Sequence, residues 1–293
     1  MRQYPNSCRE FLLILVLIVL CMSGIYADPA IDLGDRYFAS GMYREAITEY
    51  YRFIYFNPKD LLRSTVYEKI GRAAFFDNDW PGCSRNMNRA VLSAATPEEK
   101  DARELVFAEL ALAAGQYSTA KEQLKNILAE SRDEKSLLRS AFLMGVSSVY
   151  TFDWNTAYLM FEEYFKKTST FSSRTEGRVL ALLKFGKNAY YRDRNVAEIL
   201  SNIIPGAGQM YAGDFFEGLN SLAVTGLCGT LMIYSLVTYR FQDAAITFLF
   251  LFQRFYVGSS FHAARIAVEK NREKRTMIAS GIMELLLQDA GVQ

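Results

Sequence analysis

The chain has 293 residues, enough for two modest domains, and a formal net charge of +1. A near-neutral chain has no overall electrostatic attraction to nucleic acid, and a single histidine excludes a metal site built from several histidines. The cysteines, at positions 8, 21, 83 and 228, suggest neither a disulfide framework nor a paired metal-binding spacing, so we expect no metal and no cofactor.

Residues 1–27 have the pattern of a secretory signal peptide. Two arginines, Arg2 and Arg9, precede an apolar run, Phe11 to Met22, and small and polar residues follow as far as Ala27. The run is short for a permanent membrane span, which needs roughly 20 apolar residues. We expect cleavage after Ala27. Because Ile25 is larger than the residue usual three positions before a cleavage site, an uncleaved anchor is the alternative.

From Ala30 onward, the sequence repeats with a period of 37 residues. In each period, small residues alternate with large ones, and an aromatic residue occupies the turn. A small residue lets two helices approach closely, and large residues four positions away fill the space beside it. The aligned sets include Gly34, Gly71, Ala108 and Gly145; Tyr43, Trp80, Tyr117 and Trp154; and Ala46, Cys83, Ala120 and Ala157. The pattern predicts four stacked helical hairpins over residues 28–170.

The first of these units resembles the tetratricopeptide repeat (TPR) family. It has the Leu-Gly pair, tyrosine, alanine, second aromatic and final proline of that family, at Leu33-Gly34, Tyr37, Ala46, Tyr50 and Pro58. The period is about three residues longer than the usual 34, and the extra residues fall in polar segments between units. An unrelated helical bundle is the alternative interpretation.

The resemblance implies a face, lined by the first helix of each unit, that binds a peptide or helix of a partner protein. It places four apolar residues there, Phe38, Phe75, Leu112 and Val149, with Asp35, Arg72 and Glu109 beside them. An exposed apolar stripe of this kind would indicate a partner-binding groove. The alternative is that the four apolar residues belong to the core.

The repeat pattern fails in a fifth unit, where Arg194 occupies the position of the second-helix alanine. We therefore interpret residues 171–204 as a closing helix, Arg174 to Tyr191, followed by a short connecting helix. Asn195 is the predicted N-cap of that short helix.

A glycine-rich stretch, SNIIPGAGQMYAGDFFEG over residues 201–218, joins the helical part to an apolar part. Its proline ends a helix and its glycines permit a tight turn, whereas it lacks the lysine and hydroxyl residue of a phosphate-binding loop. The stretch resembles PGxGQxYxG, a motif of small two-helix bacterial membrane domains that are loosely similar to the TM2 domain. The predicted junction residues are Pro205, Gly206, Gly208, Gln209, Tyr211, Gly213, Asp214 and Glu217.

Residues 205–275 are predicted to form this junction and a membrane hairpin, and residues 276–293 a short C-terminal helix and tail. Leu219 to Tyr239 contains no charge and is long enough for one span. The second span, Ala244 to Ala264, has Arg254 near its centre. That arginine costs about 2.5–3.5 kcal/mol, which nine large apolar residues at about 0.3–0.6 kcal/mol each roughly cancel. The second helix is therefore expected to insert together with the first.

An ionisable residue within a span is a functional-site hypothesis by default. For Arg254 we predict an ion pair with Asp214 or Glu217, with Glu198 as a further candidate. The alternative is that Arg254 is a structural clamp or extends its side chain to the membrane surface.

The leader and the charge pattern disagree about topology. Cleavage of a signal peptide exports the repeats, whereas basic residues flank both ends of the hairpin and the positive-inside rule would place those ends in the cytoplasm. We follow the leader, because long exported domains override a local charge bias. The expected location is the bacterial inner membrane, with the repeat domain in the periplasm.

These features together predict an all-α protein: a membrane-tethered TPR-like solenoid that recruits a protein or peptide partner at the cell envelope. The alternative is a subunit of a membrane transport or lipid-handling complex, in which hairpins of several copies pack around Arg254. No nucleophile with a base, metal cluster or constrained acid pair indicates an enzyme.

Overall fold

The structure, a computed structural model, describes residues 29–291, so the predicted signal peptide lies outside the described residues. The described chain consists of helices and connecting turns, without strands. The predicted all-α fold, a solenoid of helical hairpins followed by a pair of long apolar helices, is confirmed.

Fourteen α-helices and one π-helical segment make up the described chain. In order they are α1 Pro29–Ala39, α2 Tyr43–Phe56, α3 Arg63–Phe76, α4 Trp80–Leu92, α5 Pro97–Ala113, α6 Tyr117–Glu130, α7 Glu134–Tyr150, α8 Trp154–Lys167, α9 Ser173–Asn188, α10 Arg194–Ile203, α11 Ala207–Tyr211, α12 Phe215–Val237, α13 Phe241–Ile246, the π segment Thr247–Phe252, and α14 Gln253–Asp289. The chain divides into two compact units between Ser147 and Ser148, within α7. This division falls inside the fourth predicted repeat rather than near residue 170.

The repeat period is visible in where the helices begin. Tyr43, Trp80, Tyr117 and Trp154 are the first residues of α2, α4, α6 and α8, so the second helices recur every 37 residues. The aligned small residues Ala46, Cys83, Ala120 and Ala157 are all fully buried. Burial raises the pKa of the Cys83 thiol to about 12, which keeps it unreactive and equivalent to the alanines.

The alternation of small and large residues also determines how the two helices of a hairpin pack against each other. A Cβ atom on Gly34 would lie 2.5 Å from the ring of Tyr50, and one on Gly71 would lie 2.7 Å from the sulfur of Met87. Each glycine therefore makes room for the large residue of the second helix, and Tyr50 and Met87 are buried as a result.

In the second unit, the N-cap of α10 is Asp193, so the prediction of Asn195 was wrong. The Asp193 carboxylate accepts hydrogen bonds from the backbone N–H groups of Asn195 and Val196, at 2.7 and 3.1 Å. A carboxylate at this position satisfies two otherwise unpaired amides and interacts favourably with the helix dipole.

The predicted separate C-terminal helix is also wrong, because α13, the π segment and α14 form one continuous helix, Phe241–Asp289. Its last turns pack against α9 and bury Ile278, Ile282 and Leu286. Asp289 accepts hydrogen bonds from the backbone N–H and the hydroxyl of Ser172, at 2.6 and 3.0 Å. Residues predicted as a tail thus cover the predicted closing helix α9.

Two helices, Phe215–Val237 and Phe241–Asp289, are long and apolar enough to cross a membrane. Most of their apolar stretches are exposed, whereas a core helix of a soluble protein would be buried. An exposed apolar surface of this length indicates membrane association.

Candidate functional site

The glycine-rich junction folds into a sharp turn between α10 and the short helix α11. Gly206 has φ +94°, a left-handed conformation that favours glycine. A Cβ atom on Gly208 would lie 1.9 Å from the carbonyl oxygen of Ala197, so α11 packs directly against the backbone of α10. The glycines thus serve close packing, consistent with a structural junction.

Gln209 lies at the centre of this turn and is only 1% exposed. Its Oε1 accepts a hydrogen bond from the Ser201 hydroxyl at 2.8 Å, and its Nε2 donates to the carbonyl and hydroxyl oxygens of Ser259, both at 3.1 Å. The Ser259 hydroxyl is also 2.8 Å from that of Ser221. These contacts join α10, α11, α12 and α14 through one buried polar cluster, which we call the Gln209 cluster (Ser201, Gln209, Ser221 and Ser259).

The same serines satisfy the backbone of the turn. The Gly206 N–H donates to Ser259 Oγ at 3.2 Å, and the Gly208 N–H donates to Ser201 Oγ at 3.0 Å. Sequence reasoning singled out Gln209 but missed Ser201 and Ser259, because an isolated serine in an apolar stretch has no spacing signal. From the sequence, the helical pattern around each serine predicts only that both side chains are buried.

The start of α10 is fixed by a second set of polar contacts. The Tyr211 hydroxyl accepts a hydrogen bond from the Asp193 N–H at 3.1 Å and lies 2.9 Å from the Tyr190 hydroxyl. The Asn271 side chain of α14 pairs with both backbone groups of Arg192, at 2.9 and 2.7 Å. Both ends of α10 are therefore bonded to α11 or α14.

The predicted ion pair of Arg254 is not formed. Asp214 caps α12 by accepting from the Glu217 N–H at 3.1 Å, and the Glu217 carboxylate lies 3.5 Å from His262 Nε2. Within residues 29–291, Arg254 has no salt bridge, with Glu198 or any other carboxylate. Arg254 lies eight residues before His262 in α14, about 12 Å away along the helix axis. The carboxylate of Glu217 is thus next to the histidine in place of the predicted arginine.

Arg254 instead lines a cavity of about 260 Å³ between α12 and α14, with both polar and apolar walls. Its lining residues are Gln209, Glu217, Asn220, Ser221, Val224, Thr225, Arg254, Phe255, Gly258, Ser259 and His262. The Thr225 hydroxyl is buried in this lining without a hydrogen-bond partner. The cavity therefore offers a hydroxyl and an unpaired guanidinium to an acceptor-rich group.

In the first unit, the predicted apolar stripe is only partly accessible. Phe38, Phe75 and Leu112 are half-buried. Val149, in the part of α7 that belongs to the second unit, is completely buried. The core alternative is thus correct for Val149, because every side of that residue is covered.

The charged residues predicted to flank this stripe take part in ion pairs. Asp35 of α1 pairs with Lys69 of α3 at 2.6 Å and accepts a hydrogen bond from the Tyr50 hydroxyl at 2.7 Å. Glu109 of α5 pairs with Arg139 of α7, and Arg72 pairs within α3 with Glu68 at 2.6 Å. Glu68 also pairs with Arg103 of α5. Consecutive first helices are therefore linked by a series of ion pairs.

An aromatic cluster beside this series was missed by the sequence analysis. Phe76 is 49% exposed, and its ring stacks on Tyr43 and contacts Phe38 and Phe75, with centroids 5.4–5.7 Å apart. Next to it is a cavity of about 330 Å³ lined by Phe75, Phe76, Asn78, Trp80, Ala113 and Ala114. Phe76 lies outside the aligned repeat positions, and only the Phe75-Phe76 pair could have indicated it.

Neither a protein-family model, nor a curated protein, nor a solved structure matches this chain.

We predict that Gly208→Ala destabilises the second unit by about 3 kcal/mol or more, because its Cβ would clash with the backbone of α10. Gly226→Ala is the matched control: Gly226 lies within α12 and a Cβ there meets no atom within 4 Å. Thermal unfolding in detergent should show a lower midpoint for the first variant and no loss for the second. Equal midpoints would contradict the close packing of α11 on α10.

Proposed function

We propose that the chain is a membrane-anchored scaffold whose helical repeats bind a segment of a partner protein. The observation that carries the proposal is the aromatic cluster of Phe38, Tyr43, Phe75 and Phe76, of which Phe76 is exposed and the others half-buried, with the adjoining cavity. An exposed aromatic ring on a partly buried aromatic base, next to a cavity of this size, suits a large apolar side chain of an incoming peptide. The resemblance of the repeats to TPR units supports this choice of ligand.

The shape of the surface also favours a particular kind of peptide. The neighbouring charges on the first helices neutralise one another in pairs, as Asp35 does with Lys69 and Glu109 with Arg139. The ion pairs described on these helices therefore give no reason to expect an acidic or a basic partner. We expect specificity to come from one or two aromatic or large aliphatic anchors.

Peptides selected from a displayed library against the full chain in nanodiscs should share such an anchor. We predict that Phe76→Ser weakens their binding about tenfold or more, since a buried aromatic contact is worth at least about 1.4 kcal/mol. Leu92→Ser is the control, because Leu92 is 85% exposed at the far end of α4. Unchanged affinity of the Phe76 variant, with an unchanged circular dichroism spectrum, would refute this surface.

We further propose that the repeats lie in the periplasm and that the apolar helices anchor them in the inner membrane of a bacterium. The predicted leader supports this orientation. Protease added to spheroplasts should digest the repeats, while inverted membrane vesicles should protect them. The opposite result would reverse the topology and favour the positive-inside rule.

A second candidate function follows from the cavity around Arg254. Its unpaired guanidinium and the partnerless Thr225 hydroxyl lie between two helices whose outer surfaces are apolar. A phospholipid could place phosphate oxygens on both groups while its acyl chains lie against Val224 and Phe255. This arrangement favours a lipid-binding role over an ion pair within the chain.

We predict that Arg254→Gln reduces the anionic phospholipid that co-purifies in mild detergent, as measured by native mass spectrometry. Arg240→Gln is the matched control, because Arg240 forms an ion pair with Asp243 in the hairpin turn at 2.7 Å. Equal lipid retention by both variants would exclude the site. A change in oligomer mass without a change in lipid would indicate that a carboxylate of another copy pairs with Arg254.

A further inference from the structure

The level of each junction residue along the two long helices can be read from the contacts of α14. Asn271 contacts Arg192 just before α10, and the Ser201 end of α10 reaches Ser259 through Gln209. The Tyr256 hydroxyl donates to the carbonyl of Asn202. Helix α10 therefore runs antiparallel to α14, from the level of residue 271 to that of residue 256.

A contact of helix α12 indicates the same level for the deep end of α10. Ser221 contacts Ser259, and it lies six residues after the first residue of α12, Phe215. The charge-free run of α12 begins at Leu219, two residues before Ser221. At a rise of 1.5 Å per residue, this contact is about 3 Å inside that run, and Tyr256 is about 4–5 Å further. The Pro205-Gly206 turn thus lies inside the charge-free length of α12 and not before its start.

After the turn, α11 leads the chain back toward the level at which α10 begins. The Gly206 N–H bonds Ser259 at the deep end, whereas Tyr211 at the end of α11 bonds the Asp193 N–H at the start of α10. Residues 194–211 consequently form a helix–turn–helix that enters and leaves on the same side.

The composition of this segment suits a hydrocarbon environment. Residues 199–213 contain no charged side chain. Along the outer side of α10 and its end, Val196, Ile199, Ile203 and Ile204 are 41–70% exposed, with the polar Asn202 exposed beside them. In water, such a stripe next to two apolar helices would be unfavourable, and in the bilayer it contacts acyl chains.

Several polar groups of the turn are paired within the protein. The Gly206 and Gly208 N–H groups bond to serine hydroxyls, the Asn202 carbonyl accepts from Tyr256, and the Gln209 side chain is bonded at both ends. Irregular backbone at membrane depth is tolerated only when its polar groups are paired within the protein. The Gln209 cluster contributes to that pairing.

We propose that residues 194–211 form a re-entrant hairpin beside α12 and α14. The hairpin is immersed in the acyl chains of the leaflet that it enters. The inference rests on the proposal that these two helices cross the bilayer. It adds a third membrane-embedded element, one that neither crosses the membrane nor lies on its surface.

The test is thiol labelling with a charged, water-soluble maleimide of single-cysteine variants in nanodiscs that hold one copy each, so that a second copy cannot shield the site. Each variant is made in a chain without the native cysteines. Cys83 is replaced by alanine, the residue that the other repeats have at the same position, and the other native cysteines are replaced by alanine or serine. Ile203→Cys is compared with Leu227→Cys in the middle of α12 and with Leu92→Cys in the first unit. All three side chains are exposed in the structure, at 70%, 62% and 85%.

We expect Ile203→Cys and Leu227→Cys to react at least about tenfold more slowly than Leu92→Cys, because hydrocarbon excludes the charged reagent and disfavours the thiolate. All three should react equally in SDS. Val196→Cys, at the shallow end of α10, should react faster than Ile203→Cys.

Rapid labelling of Ile203→Cys with slow labelling of Leu227→Cys would overturn the re-entrant hairpin while leaving the two spanning helices in place. Rapid labelling of both would show that the apolar helices themselves are outside the bilayer, and the inference would fail together with that proposal.

Discussion

The second unit depends on one constraint: the polar groups of a non-helical turn must be paired where little water is available. The Gln209 cluster provides the pairing, since one amide side chain contacts α10 and α14 while two serine hydroxyls accept from glycine amides. Removing one partner from such a cluster leaves others buried and unsatisfied, at about 1–3 kcal/mol for each. The close packing at Gly206 and Gly208, the position of α10 and the cavity beside Ser259 all follow from this arrangement.

The first unit depends on repetition. Each hairpin combines a small residue with a large one, as Gly34 does with Tyr50 and Gly71 with Met87, so that neighbouring helices pack at a constant distance. Ion pairs such as Asp35 with Lys69 then connect consecutive first helices. Partly exposed ion pairs contribute about 0–1 kcal/mol each, so burial stabilises the stack and the pairs chiefly fix its register.

The fold was predictable wherever a regular period met a local rule. The 37-residue period gave the starts of the second helices, and the charge-free run gave α12. Contacts between residues distant in sequence were not predictable: Glu217 lies next to His262 and not in an ion pair with Arg254, and no pattern relates Ser201 to Ser259. The junction glycines were predictable as a turn, whereas the level of that turn along α12 and α14 required the contacts of Tyr256 and Ser221.

The continuous helix Phe241–Asp289 has a consequence for biosynthesis. It covers α9 through residues such as Ile282, and Asp289 contacts Ser172, 117 residues earlier in the chain. At 5–20 residues per second, a ribosome needs about 6–23 s to make that stretch. During this interval α9 packs against α8, but the face that α14 covers remains open. A chaperone that shields newly made apolar surfaces would have a long period of contact at this face, and a chain interrupted within α14 would leave the face permanently uncovered.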